Sequence, residues 1–192
     1  MQWILPGTVL KTGPAETERV EEVFSSMFLA GGMVLSQVAS ITGLEPYTIQ
    51  NWVKRGYLTP PQKKRYSQRQ LSRILIINML RSALPLERIC GLLEYINGHL
   101  DDESDDLIDD TQLYFLFVRL AAYHRQMQDP AGRENYLAQI LLDYAEPQSG
   151  AKERVENVLQ IMLTAWAASQ LRQSAERMVT QLYDKGEMYH GK

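Results

Sequence analysis

The chain has 192 residues, 45% of them apolar, with a formal net charge of −3 and one cysteine. That length suits one large domain or two small ones, and a lone cysteine excludes an intramolecular disulfide framework and any multi-cysteine metal site. With no run of 18 apolar residues no membrane span is predicted, and the start, Met-Gln-Trp-Ile-Leu-Pro-Gly, lacks the basic and long apolar stretches of a signal peptide, so the expected location is cytoplasmic.

In chain order, Pro14 to Ala30 predicts a helix, with Val20, Val23, Phe24, Met27 and Phe28 at helical spacing, Pro14 in the first turn and Gly31-Gly32 as the stop. Ser36 is the expected cap of the next helix, which carries Val38, Ala39 and Ile41 and ends at Gly43. A short helix then opens at Pro46, buries Ile49, Trp52 and Val53, and stops at Gly56. Pro60-Pro61 bar helix over 57–65. Helix returns after Ser67, where Ser67-Gln68-Arg69-Gln70 has the form of a capping box. Another helix opens at Leu84-Pro85-Leu86 and ends at Gly98. The run Asp101-Asp-Glu-Ser-Asp-Asp-Leu-Ile-Asp-Asp110 reads as a joint, followed by helices over Thr111–Met127, Ala131–Tyr144 and Lys152 to about Asp184.

No convincing strand is evident beyond a small β wing near residues 57–66. The expected class is all-α: a winged helix-turn-helix followed by a C-terminal helical bundle or long helix. The expected organisation is an N-terminal helical segment over 1–32, a winged helix-turn-helix over 33–100, an acidic linker over 101–110 and a helical dimerisation or effector region over 111–192. In the last helix Ile161, Thr164, Ala168, Leu171, Ala175, Met178 and Leu182 alternate steps of three and four, a heptad seam. Packing within its own domain is the first expectation for that seam, and self-association the second.

Charge is segregated. Between Met33 and Leu100 nine basic residues face three acidic ones, a local +6 inside an acidic protein, which points to an anionic partner. A helix, a turn at Gly43 and a second helix is a helix-turn-helix arrangement, whose second helix enters the DNA major groove. Burying Ile49, Trp52 and Val53 turns Tyr47, Thr48, Gln50, Asn51 and Lys54 outward. Gln and Asn can pair bidentately with adenine, and Lys54 can reach guanine or phosphate. Arg55 belongs to the same basic cluster. Beyond the two prolines, Lys63, Lys64 and Arg65 are expected to form a wing gripping phosphates, and Tyr66 next to them is a further expected DNA-binding residue.

At these residues the chain resembles the DNA-binding domain of MerR-type regulators, through Ser36-Gln-Val-Ala, Thr42-Gly-Leu, Thr48-Ile-Gln-Asn-Trp, Gly56-Tyr-Leu, Pro60, Arg65-Tyr66-Ser and Leu84-Pro-Leu-Glu-Arg-Ile89. Over about residues 30–125 it resembles more closely a bacterial, ykrK-like domain of unknown function, through Ile49-Gln-Asn-Trp-Val-Lys-Arg-Gly56, Lys64-Arg-Tyr-Ser67, Ile74-Leu-Ile-Ile-Asn-Met-Leu80 and Tyr95-Ile-Asn-Gly98. The resemblance implies a winged helix-turn-helix in a transcriptional regulator. Gln50 stands where MerR-type recognition helices usually carry Arg, the wing lacks the usual glycine, and no single long dimerisation helix follows the DNA-binding region directly.

The acidic run pairs its acids side by side and lacks the glycine of a calcium loop, so a solvated, helix-capping role is expected; folding over the basic wing in competition with DNA is the alternative. Cys90, among Ile89, Leu92 and Leu93, reads as a buried inert thiol. His99, His124 and His190 share no ligand spacing, and no metal or cofactor is expected. No catalytic signature is present, so enzyme activity is not expected. Tyr114, Phe115, Phe117, Tyr123, Tyr136, Tyr144 and Trp166 read first as core and second as an effector pocket. The expected function is sequence-specific transcriptional regulation by a homodimer on double-stranded DNA, with an unidentified small-molecule effector as an open option. The alternative is a protein-interaction adaptor that uses the helix-turn-helix as a docking surface.

Overall fold

The computed structural model describes residues 3–13, 19–127 and 129–184. Among these, eight α-helices surround one apolar core, with two two-stranded antiparallel sheets at its margins. The first sheet was not legible in the sequence. Strands β1 (Trp3–Ile4) and β2 (Lys11–Thr12) form a hairpin with Trp3 opposite Thr12. Its turn is pressed against the core: a Cβ on Gly7, whose φ is +76°, would lie 2.3 Å from the Leu75 carbonyl oxygen. Only glycine fits that backbone and that approach.

Helix α1 (Val20–Met27) buries Val20 and Phe24. The portion of the expected helix over 14–18 lies outside the described residues. Strand β3 (Met33–Val34) follows and pairs with β4 (Arg65–Tyr66), Met33 opposite Tyr66. Helix α2 (Leu35–Thr42) is capped at Val34 rather than at Ser36, which is exposed within the first turn; the Gln37 side chain accepts from the Val34 amide at 3.0 Å. Pairing in β3 fixes Val34 in extended geometry, so the helix starts earlier than the serine signals. Helix α3 (Pro46–Lys54) has its proline in the first turn, as expected.

Helix α4 (Gln68–Leu80) is the hub, with Leu71, Ile74, Leu75, Ile76, Ile77 and Leu80 fully buried. A helix that is apolar on all sides must be surrounded, and α6 (Asp110–Gln126), α5 (Leu86–Asn97) and α8 (Ala151–Asp184) all pack on it. Its capping box forms as expected: the Gln70 amide donates to Ser67 Oγ at 3.1 Å, and Gln70 Oε1 accepts from the Ser67 amide at 2.9 Å. Helix α7 (Pro130–Ile140) packs on α6.

The acidic segment does not divide the chain into separate cores, because apolar residues on both sides of it belong to one cluster. The aromatics of the C-terminal half are mainly core. Tyr114 and Phe117 are fully buried, the Tyr114 hydroxyl donates to the Pro6 carbonyl at 2.8 Å, and Tyr123 stacks on Tyr136 at 4.2 Å.

Helix α8 behaves as two halves. Val155, Val158, Leu159, Met162 and Trp166 are buried, whereas residues 170–184 are exposed apart from half-buried Ser174. The heptad seam is not in the core. Ile161 is 46% exposed, Leu171 74%, Met178 63% and Leu182 38%. The expectation that the seam packs internally is therefore corrected, because the opposite face of the same helix fills the core.

Candidate nucleic-acid interface

Helices α2 and α3 meet at Gly43, which caps α2 at φ +68° in the left-handed region. The Thr42 hydroxyl donates to the Val38 carbonyl at 2.8 Å and accepts from the Leu44 amide at 3.2 Å, closing the turn. Asn78 of α4, in sequence just one polar residue of an apolar stretch, locks this corner. Its amide donates to the carbonyls of Gly7 and Thr42, both at 2.9 Å. The signal in the sequence was one amide side chain inside an apolar run, where buried polar groups need partners.

Ile49 and Trp52 anchor α3 in the core. Tyr47, Gln50 and Lys54 are exposed, and Thr48 and Asn51 are half-buried. The helix ends in a Schellman arrangement: the Gly56 amide donates to Val53 O at 3.1 Å and the Tyr57 amide to Trp52 O at 2.9 Å, with Gly56 at φ +75°.

The chain then crosses the two prolines to a tight hairpin. The Arg65 amide donates to the Gln62 carbonyl at 2.8 Å, and between them Lys63 and Lys64 have φ of 47° and 63°. Both central residues in the left-handed region is the signature of a type I′ turn, which ordinarily takes Asn-Gly. An L side chain there costs about 1–2 kcal/mol per residue.

Tyr66 departs from its expected place among the DNA-binding residues. Only 3% exposed, it fills the core beneath the hairpin because β3 pairing turns it inward, and burial pushes its hydroxyl pKa up. Its role here is to hold the hairpin. Gln70 reinforces it, donating to the Thr59 carbonyl at 2.9 Å.

The +6 of this region is not all free charge. Arg55 is exposed but donates to Glu87 at 2.8 Å and to the Tyr57 hydroxyl at 2.7 Å. Arg65 donates to the Gly32 carbonyl at 2.8 Å. Arg69 pairs with Asp106, with Glu103 and Asp109 further off at 3.5 and 3.6 Å. Arg73 is buried with Asp110 at 3.2 Å. Among the described residues no carboxylate pairs with Lys54, Lys63 or Lys64. Tertiary structure thus leaves Lys54 on α3 and Lys63 and Lys64 at the hairpin tip uncompensated, as it does Arg65, Arg81 and Arg88 among the described residues.

The acidic segment is spent on the fold. Asp102 accepts from the Ser104 amide at 2.9 Å, Asp105 from the His99 amide at 3.1 Å, and Asp109 caps α6 through the Thr111 amide at 2.7 Å. Asp101 and Glu103 share a cleft of about 820 Å³ with Lys63 and Arg65, without an ion pair to either among the described residues. Cys90 is buried, and that burial pushes its thiol up to about 11. The raised value keeps it protonated at pH 8, so alkylation of the folded protein at that pH should run at least roughly a hundredfold slower than that of the unfolded chain; a mass-resolved iodoacetamide time course checks this, and comparable rates would refute it. His190 lies outside the described residues.

A family model described as "Domain of unknown function (DUF1836)" matches residues 22–117, from α1 into α6. The chain belongs to this family. The match takes in α2, α3, the basic hairpin and the acidic segment. Among curated proteins, the "Uncharacterized protein YkrK" of Bacillus subtilis (strain 168) is similar, at 31% identity over 112 residues, covering 55% of this chain and 47% of that protein. The alignment thus spans about half the length of the curated relative. No solved structure matches.

Proposed function

We propose that this DUF1836 protein is a sequence-specific regulator of double-stranded DNA, with α2, Gly43 and α3 acting as a MerR-like helix-turn-helix and the Gln62–Arg65 hairpin as its wing. The observation that carries this reading is the hairpin tip. Two lysines occupy left-handed backbone where Asn-Gly would sit without strain, and both are exposed and, among the described residues, without carboxylate partners. Strain retained at an exposed basic tip is accounted for by a phosphate contact. Gln50 and Asn51 lie on the adjacent helix, where they would read base edges. Selection of sites from random duplex DNA with the purified protein tests the reading. An enriched two-fold symmetric site is the expected result, and failure to enrich any sequence would count against it.

A dimer would set two such helices about 34 Å apart. We assign the contact to the exposed heptad seam of α8, where Leu171 and Met178 are the most exposed large apolar residues. Light scattering should give a dimer for the native protein and a folded monomer for Leu171→Glu with Met178→Glu. A native monomer, or a variant that stays dimeric, would exclude the seam as the dimer contact.

One observation favours the adaptor reading. A groove of about 700 Å³ between α3 and the hairpin is lined by the apolar Val34, Leu35, Val53, Pro61 and Tyr66 together with polar residues that include Lys54 and Lys64. Such a groove would suit an apolar side chain of an acidic peptide. An adaptor would keep its partner after neutralisation of Lys63 and Lys64 and show only weak, sequence-independent DNA affinity.

A further inference from the structure

A second cleft, of about 620 Å³, opens where the N-terminal hairpin meets the ends of α4 and α6 and the middle of α8. Arg81, Arg125 and Arg177 all line it, each from a different helix region, and no described lining residue is Asp or Glu. None of the three forms an ion pair among the described residues. Arg81 uses its Nε on Asn78 Oδ1 at 3.0 Å, which leaves its terminal nitrogens to donate elsewhere. Trp3 and Trp166 stand edge to face beside them, with ring centroids 6.3 Å apart, and Arg125 lies 5.7 Å from the Trp3 ring centre.

Helix dipoles account for some of this. Arg81 caps the C-terminus of α4 and Arg125 lies in the last turn of α6, where cations are favoured. They do not account for Arg177, which is within α8, nor for three like charges meeting at one concavity without a counter-charge among the described residues. Like charges brought together repel, and an anion between them relieves that repulsion. The volume falls within the range of small-molecule sites. The cleft is also remote from the basic hairpin: Gln70, at the start of α4, bonds the loop before the hairpin, whereas Arg81 follows its last residue, about 20 Å along the 13-residue helix.

We infer that this cleft binds a small organic anion, with a carboxylate or phosphate held by Arg81, Arg125 and Arg177 and an apolar body against Trp3 and Trp166. The assignment does not depend on the DNA-binding reading. The hairpin forming one wall is bonded to the helix-turn-helix corner, since the Val9 amide donates to the Ile41 carbonyl at 2.9 Å. A ligand there would touch the element that braces α2.

Tryptophan fluorescence of the full chain, titrated with phenyl phosphate, benzoate, inorganic phosphate and benzyl alcohol, tests the site. Phenyl phosphate or benzoate should bind saturably by the millimolar range, at least about tenfold more tightly than inorganic phosphate or benzyl alcohol. Whichever of the two binds more tightly identifies the head group. Arg81→Gln with Arg177→Gln, two exposed changes, should weaken that binding by at least about tenfold; Arg125→Gln, scored separately because of its contact with Trp3, should weaken it as well. Absence of saturation, equal binding by the double variant, or binding of inorganic phosphate or benzyl alcohol as tight as that of the aromatic anions would each overturn the assignment.

Discussion

Replacing Asp110 by alanine should lower the unfolding free energy by about 3–5 kcal/mol, read from urea denaturation followed by helical circular dichroism. Asp110 is 1% exposed and Arg73 5% exposed, and they meet at 3.2 Å at the junction of α4 and α6. Asn97 donates to the other Asp110 oxygen at 3.2 Å, and Arg73 Nε donates to the Tyr57 carbonyl at 3.1 Å. Burial pushes the Asp110 carboxyl above its usual range in spite of the neighbouring guanidinium. Desolvation therefore outweighs the attraction, and the ionised pair is not itself a large source of stability. The loss in Asp110→Ala comes from leaving Arg73 charged, buried and unpaired. The double change Asp110→Leu with Arg73→Met should accordingly recover at least half of it. A loss under about 1 kcal/mol in Asp110→Ala, or no recovery in the double variant, would show that the pair does not organise this junction.

Converting Lys63-Lys64 to Asn-Gly should stabilise the fold and weaken DNA binding at once. Asn and Gly accept the left-handed geometry that lysine resists, so a gain of about 1–2 kcal/mol is expected from chemical denaturation. On the proposed function, two phosphate contacts disappear. The slope of log K against log salt should then fall by about 1.8, and affinity near physiological salt by on the order of 10- to 30-fold, for every duplex alike. Arg65 is left in place because its guanidinium bonds the Gly32 carbonyl, and removing it would disturb the β3–β4 pairing. A stabilised variant with unchanged salt dependence would separate the strain from DNA binding and defeat the assignment of the hairpin as a wing.

Much of the helical order was legible because its signals are local. Pro46, Gly43 and Gly56 punctuate α2 and α3 where the sequence places them, and the Ser67–Gln70 box starts α4 as expected. The burial of Ile49 and Trp52 followed from spacing alone. The two sheets were not legible. Each strand has two residues, too few to show alternation, and each exists only because a distant segment supplies its partner. Tyr66 was misplaced for that reason: nothing local says that Met33 will pair opposite it. The acidic run read as a joint because its charges are local, but its partners, Arg69 and Arg73, lie more than thirty residues away in sequence.

The amino-acid sequence by itself determined the helices, their stops and the excess of basic residues between Met33 and Leu100. Those depend on propensity, capping and composition, which act over a few residues. Only the tertiary structure decided which charges are free. Folding neutralises Arg55, Arg69 and Arg73 against carboxylates while Lys54, Lys63 and Lys64 remain without such partners among the described residues. It also decided which face of α8 is buried, since Val155, Met162 and Trp166 fill the core and the heptad seam of the same helix is left exposed. A helix can carry two apolar faces in its sequence, and the free energy of filling one core selects between them.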